Sequence, residues 1–276
     1  MINAVGNRMT REIARQGKLA DALERTQIQL STGKRIQRMS DDPVAARRIL
    51  TIGTTQASMT SWQANIKSAQ AQVAQASDVL GSTSDMLARA RELTLSAASG
   101  TMSPTDLATI AAELNAIADE IDGLAATRDS NGEPLFAAGN ARVVRFDSDV
   151  SFAPVQSAAS AFVVGGNALS TGLRDAATAV AAGNQAGIDA ALTNITGAIS
   201  HIADQNAALG LSAGRLERIG DSLSSRGIEI ADERQSVEEV DLQTAIAQLN
   251  AQDLTLNAAQ AAFAKINRQT LFDLLN

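Results

Sequence analysis

Every proline in this chain falls at position 43, 104, 134 or 154. Residues 44–103 and 155–276 therefore contain none of the residues that most strongly break helices. In the first window, three- and four-residue steps alternate through Met59, Trp62, Ile66, Ala69, Val73, Ala76, Leu80, Thr83, Leu87, Ala90, Thr94 and Ala97, and ten of these twelve are apolar. A second seam with the same spacing runs through Ile188, Leu192, Ile195, Ile199, Ile202, Asn206, Leu209, Ala213, Leu216, Gly220, Leu223, Gly227 and Ile230. Such spacing gathers one stripe on one side of a helix and requires a second helix to cover it. Helices from 44 to 98 and from 174 to 235 would each extend about 80 to 90 Å at about 1.5 Å per residue.

The rest of the chain reads as additions to that pair. Ser103, Pro104 and Asp106 form a helix start, with a capping hydroxyl, proline at the first helical position and a carboxylate three residues after the cap. Leu107, Ile110, Leu114, Ile117, Ile121 and Leu124 then continue as an apolar stripe. Between 129 and 172 the character changes: two prolines, Asn131-Gly132, Gly165-Gly166 and four of the six phenylalanines surround VVRF and AFVV, predicting a small β-containing excursion. Both chain ends carry helical stripes, Met9, Ile13, Ala20, Leu23 and Leu30 at one and Ala245, Leu249, Leu256, Ala259, Phe263 and Ile266 at the other. Short isolated helices are marginal in water, so the simplest arrangement pairs the ends with each other. The expected fold is mainly α: an elongated antiparallel helical bundle or coiled-coil rod with a small β-containing insertion. Its expected parts are a terminal helical domain (1–40 and 240–276), a helical rod (41–129 and 173–239) and a variable insertion (130–172).

Composition narrows the function. Aromatic residues make up 3% of the chain and tyrosine is absent, which suits slender helix packing better than a large globular core. A net charge of −7 argues against general nucleic-acid binding, which depends on clustered cations neutralising phosphates. The absence of cysteine removes disulfides, thiolate metal sites and cysteine nucleophiles. The start, MINAVGNRMTREIARQG, has no basic region followed by an apolar run, and no stretch of about 18 apolar residues follows, so neither a cleavable secretion signal nor membrane insertion is expected.

Catalytic signatures are equally sparse. His201 is the sole histidine and sits beside Ile199 and Ile202 of the second seam, a boundary position. Asp41 and Asp42 have a helix-capping use, and Glu238 and Glu239 suit a solvated helical face, so neither pair implies acid–base chemistry. Thr32-Gly33-Lys34 lacks the upstream glycine spacing of a phosphate loop, and GxSxG and HExxH do not occur. Asn194-Ile195-Thr196 meets the glycosylation pattern only formally. No enzymatic activity, cofactor or metal is expected.

Several segments carry a resemblance to a known family. LSTGKRIQRMSDDPVAARR at 30–48, NGEPLFAAG at 131–139, GRLERI at 214–219, SVEEVDLQTAIAQL at 236–249 and the close INRQTLFDLLN resemble the flagellin superfamily. The SDDPVAA portion and the ending are most like its hook-associated members at the hook–filament junction. The resemblance implies a structural subunit that assembles with itself, with a short filament flagellin as the alternative. It also implies contacts with the other hook-associated junction protein, filament flagellin and an export chaperone. Its implied location is the extracellular flagellum, reached through the flagellar type III apparatus without a cleavable signal peptide. On this reading Ile13, Leu23, Leu30, Leu249, Leu256, Phe263, Leu271, Phe272 and Leu274 are assembly positions. Ser40, Asp41, Asp42 and Pro43 form the motif between the terminal and rod domains.

Overall fold

The computed structural model describes residues 2–273, with side chains described at residue 7 and over 9–265. The chain is mainly helical, with α1 (Ile2–Thr32), α2 (Pro43–Ala97), α3 (Pro104–Ala125), α4 (Ala158–Phe162), α5 (Leu169–Ala181), α6 (Gln185–Glu238) and α7 (Leu242–Asp273). Two small antiparallel ribbons interrupt the helices: β1 (Val144–Arg145) with β2 (Ser151–Phe152), and β3 (Val163–Val164) with β4 (Asn167–Ala168). This agrees with the expected mainly α fold carrying a small β insertion. Residues up to Gln56 form one compact unit with those from Gly227 onward, and Ala57–Arg226 form the other. Among the described residues, no helix is long and apolar enough to cross a membrane.

In the second unit the heptad spacing translates directly into burial. Of the twelve seam positions on α2, all but the half-buried Trp62 are buried, and Ala76, Leu80, Thr83 and Ala90 are fully enclosed. On α6, Ile188, Ile195, Ile202, Leu209, Leu216 and Leu223 recur every seven residues in the core, flanked by half-buried positions. The helices run antiparallel: Ser77 Oγ donates to Asn206 Oδ1 at 2.8 Å, and a side chain at Gly220 would meet the Ile66 methyl at 3.8 Å. Buried Thr83 and Thr94 return their hydroxyls to the carbonyls of Val79 and Ala90, which lets polar residues occupy seam positions without an unpaired group.

The third stripe also folds as its sequence requires. Ser103 Oγ accepts from the Asp106 N–H and the Asp106 carboxylate accepts from the Ser103 N–H, a reciprocal cap with Pro104 next to it. Buried Leu114, Ile117 and Ile121 of α3 belong to the same unit as buried Leu173, Ala177 and Val180 of α5. The exposed rim is tied by Arg174, which donates to Asp119 and Asp122, each at 2.7 Å.

The structure corrects the single helix expected over 174–235. The chain leaves α5 at Ala182 and starts α6 at Gln185. Gly183 adopts φ 61°, its N–H donates to Val180 O, and the Asn184 N–H donates to Ala179 O, which closes the helix with a left-handed turn. The Asn184 side chain then accepts from the Gly187 N–H and opens the next helix.

In the insertion, Gly165 and Gly166 both have positive φ, which matches the twist of the β3–β4 hairpin. Buried Phe136 and Phe162 meet edge to face at 5.0 Å, and Arg215 of α6 lies over the Phe152 ring at 4.2 Å. Asp129 anchors the entry to this segment. Burial alone would raise its carboxyl, but the backbone N–H groups of Asn131 and Glu133, together with Gln72 and Arg142, hold it below the usual carboxylate range.

Candidate assembly surface

The two chain ends meet in the first unit. α1 and α7 run antiparallel: Gln16 Nε2 donates to Ala259 O at 3.4 Å, and Thr26 Oγ1 donates to Gln252 Oε1 at 2.9 Å. The contact face of α1 steps through Gln16, Leu19, Leu23, Thr26 and Leu30, and that of α7 through Ala245, Leu249, Gln252, Leu256, Ala259 and Phe263. Both follow the alternating three-four spacing of a two-helix seam. Most of these side chains remain half-buried, because two helices alone cannot enclose their own stripes; only Thr26 and Ala245 are buried.

A clasp of backbone hydrogen bonds secures the base of the pair. After α1 ends, Gly33 adopts φ 69° and turns the chain so that Lys34 bridges Glu239 in antiparallel register. The Arg35 N–H donates to Glu238 O at 2.7 Å and the Val240 N–H donates to Gly33 O at 3.1 Å. The Glu238 side chain accepts from Arg234 at 2.8 Å and lies 3.6 Å from Lys34 Nζ. The hydrogen bond from Arg234 is the main reason its carboxyl titrates below the usual value; partial burial opposes it and Lys34 adds to the lowering. Arg48 pairs with Glu233 in the same unit.

The SDDP motif supplies the next turn. Asp41 Oδ2 accepts from the N–H groups of Gln37 and Arg38, which folds the connector back on itself. Asp42 caps α2 by accepting from the Ala45 N–H at 3.0 Å, with Pro43 at the first helical position. That hydrogen bond chiefly holds the Asp42 carboxyl below its ordinary range, with Arg35 at 3.2 Å contributing. Ser40 is exposed. Asp241 caps α7 in the same way, accepting from Gln243 and Thr244.

The sequence-selected positions divide into two groups. Leu23, Leu30, Leu249, Leu256 and Phe263 line the α1–α7 seam and are half-buried, whereas Ile13 lies off it and is 55% exposed. Leu271 and Phe272 fall within the backbone span of α7, but their side chains lie outside the described residues, as does the whole of Leu274. Ile28, Leu242, Ile246 and Leu254 were missed by sequence reading and are exposed as well. Ile246 sits beside the seam and Ile28 and Leu254 lie opposite it, where a single apolar stripe per helix does not reach, whereas Leu242 continues the seam one turn before Ala245. Among the described residues, no group of three or more His, Cys, Asp or Glu is arranged to hold a metal ion.

Comparison with known proteins accords with this architecture. The model of the bacterial flagellin N-terminal helical region matches residues 3–141, and that of the bacterial flagellin C-terminal helical region matches residues 192–275. A sequence search of curated proteins gave no match. Similar folds occur in a candidate flagellar hook-associated protein from Vibrio parahaemolyticus (20% identity, TM-score 0.65, covering 72% of this chain and 100% of that one). FlgL from Bacillus cereus is also similar (18% identity, TM-score 0.57, 67% of this chain and 99% of that one). So is FlgL from Xanthomonas campestris (14% identity, TM-score 0.57, 65% and 98%). With both terminal regions matched and its two ends paired as helices, this chain belongs to the bacterial flagellin family and is a structural protein of the flagellum.

Proposed function

We propose that this chain is a non-enzymatic subunit of the junction between flagellar hook and filament, assembling with copies of itself through its paired ends. The observation that carries this reading is the distribution of exposed apolar side chains. Among the described residues, ten of the thirteen large exposed hydrophobic ones belong to the unit containing the chain ends, and Leu95, Val143 and Leu211 are the three outside it. Clustered exposure of this kind marks an interaction surface.

Charge supports the same assignment. Residues 57–226 hold 10 Lys and Arg against 17 Asp and Glu, so the net −7 resides there, whereas the end-containing unit holds 13 of each. Copies can therefore crowd through the neutral unit without net repulsion, while the acidic unit favours solvent. In this arrangement 1–40 and 240–276 form the inner layer, 41–129 and 173–239 surround it, and 130–172 faces outward. Ile13, Leu23, Leu30, Leu249, Leu256 and Phe263 contribute to the inner contacts, and Leu271, Phe272 and Leu274 extend the series. Ser40, Asp41, Asp42 and Pro43 set the turn between layers. The neighbours are the other hook-associated junction protein on one side and filament flagellin on the other. Export proceeds through the flagellar type III apparatus, with a chaperone before export and no cleavable signal, to the cell exterior. The likeness to FlgL structures and the SDDPVAA and LFDLLN segments favour the junction over the filament body.

Seeded growth distinguishes the two. Purified chain added to filament fragments is expected to bind at the ends and stop, as seen by electron microscopy. Sustained elongation into long filaments would instead make it a filament flagellin.

A further inference from the structure

The α1–α7 pair has two unlike broad faces. At about 100° per residue, positions displaced by about a quarter to a third of a turn in one rotational sense from the α1 seam include Ile13 and Glu24. The same displacement on α7 gives Ile246 and Asp253. Because the helices are antiparallel, equal rotations from the shared seam emerge on the same side, so these residues form a single front. It combines two isoleucines with two carboxylates, and all four are exposed. Displacement in the opposite sense gives a back with Arg11, Arg15, Lys18 and Arg25 on α1, beside the small Ala251, Ala258 and Ala262 on α7. These four cations are exposed and none forms an ion pair with another described residue of the chain.

We infer that the front of one copy docks on the back of the next, a docking mode that rests on the self-assembly reading above. Front against front would oppose Glu24 and Asp253 to their own kind, and back against back would oppose two rows of cations. Only front against back places carboxylates beside guanidinium and ammonium groups while the exposed Ile13 and Ile246 side chains meet the alanine ridge. Charges at such a rim select orientation and reject wrong partners. A contact between two different faces is heterologous, so it propagates from copy to copy and closes as a ring where the rotation permits.

The chain has no cysteine, so single thiols can report the geometry. Full-length Ile246→Cys places a thiol on the front and Ala258→Cys one on the back, with Leu95→Cys in the other unit as control. On treatment with a short bismaleimide at high protein concentration, the mixture of front and back variants is expected to give about tenfold more crosslinked dimer than either alone. Adding R15E and K18E to the back variant should remove that excess, as should adding E24K and D253K to the front variant. Combining both reversals should restore it. Front–front crosslinks in excess, or a front–back yield indifferent to the reversals, would overturn this docking mode but leave self-assembly standing. Yields no higher than the Leu95→Cys control for both unit-1 variants would overturn self-assembly through the chain ends as well.

Discussion

Leu80→Ala is expected to cost about 2 to 5 kcal/mol of folding stability, because it removes a side chain from a site that cannot collapse around the gap. Leu80 is 0% exposed at the centre of the α2 seam, whereas Leu95, in the same helix, is 60% exposed. Leu95→Ala should therefore stay within about 0.5 kcal/mol of the parent, as surface changes do. Urea unfolding followed by helical circular dichroism checks both substitutions. Equal effects at the two leucines would mean that the seam is not the core of this unit.

The second large effect concerns the chain ends. Removing 1–40 and 240–276 takes away α1, the clasp at Gly33–Arg35 and α7, but leaves the buried seams of α2 and α6 intact. The shortened chain should stay soluble, since most of the exposed apolar side chains of the end-containing unit go with the deleted ends. Its helical circular dichroism should persist, and it should not incorporate into flagella. Incorporation at the level of the full chain, measured by sedimentation with isolated flagella, would contradict assembly through the paired ends.

How much of this was legible in the sequence depends on what each signal measures. Apolar spacing located the α2 and α6 seams nearly residue by residue, because in a helix pair burial follows periodicity. The same signal failed on α1, where the seam includes Gln16 and Thr26. Those two are held by hydrogen bonds to the Ala259 carbonyl and to Gln252, a pairing that hydrophobicity cannot register. The α7 stripe read correctly through Ala245, Leu249, Leu256, Ala259 and Phe263 because, among the described residues, the only polar member of that seam is Gln252. The break between α5 and α6 was missed for a different reason. Gly183 ends a helix by adopting positive φ, and glycine within a long helical pattern carries no mark that says whether it will do so. The caps at Asp42 and Ser103 were readable, since hydroxyl or carboxylate followed by proline states its use locally.

The two-faced end pair could not be read from either end alone. The front needs Ile13 and Glu24 from α1 to be brought beside Ile246 and Asp253 from α7, over two hundred residues away. Only the antiparallel register fixes which side of the pair each residue occupies.

Electron microscopy of a strain lacking this chain, with the spent medium assayed for flagellin, tests the junction role most directly. The expected result is hooks attached to the cell without filaments, with filament subunits released into the medium. Filaments of normal length and attachment would contradict it.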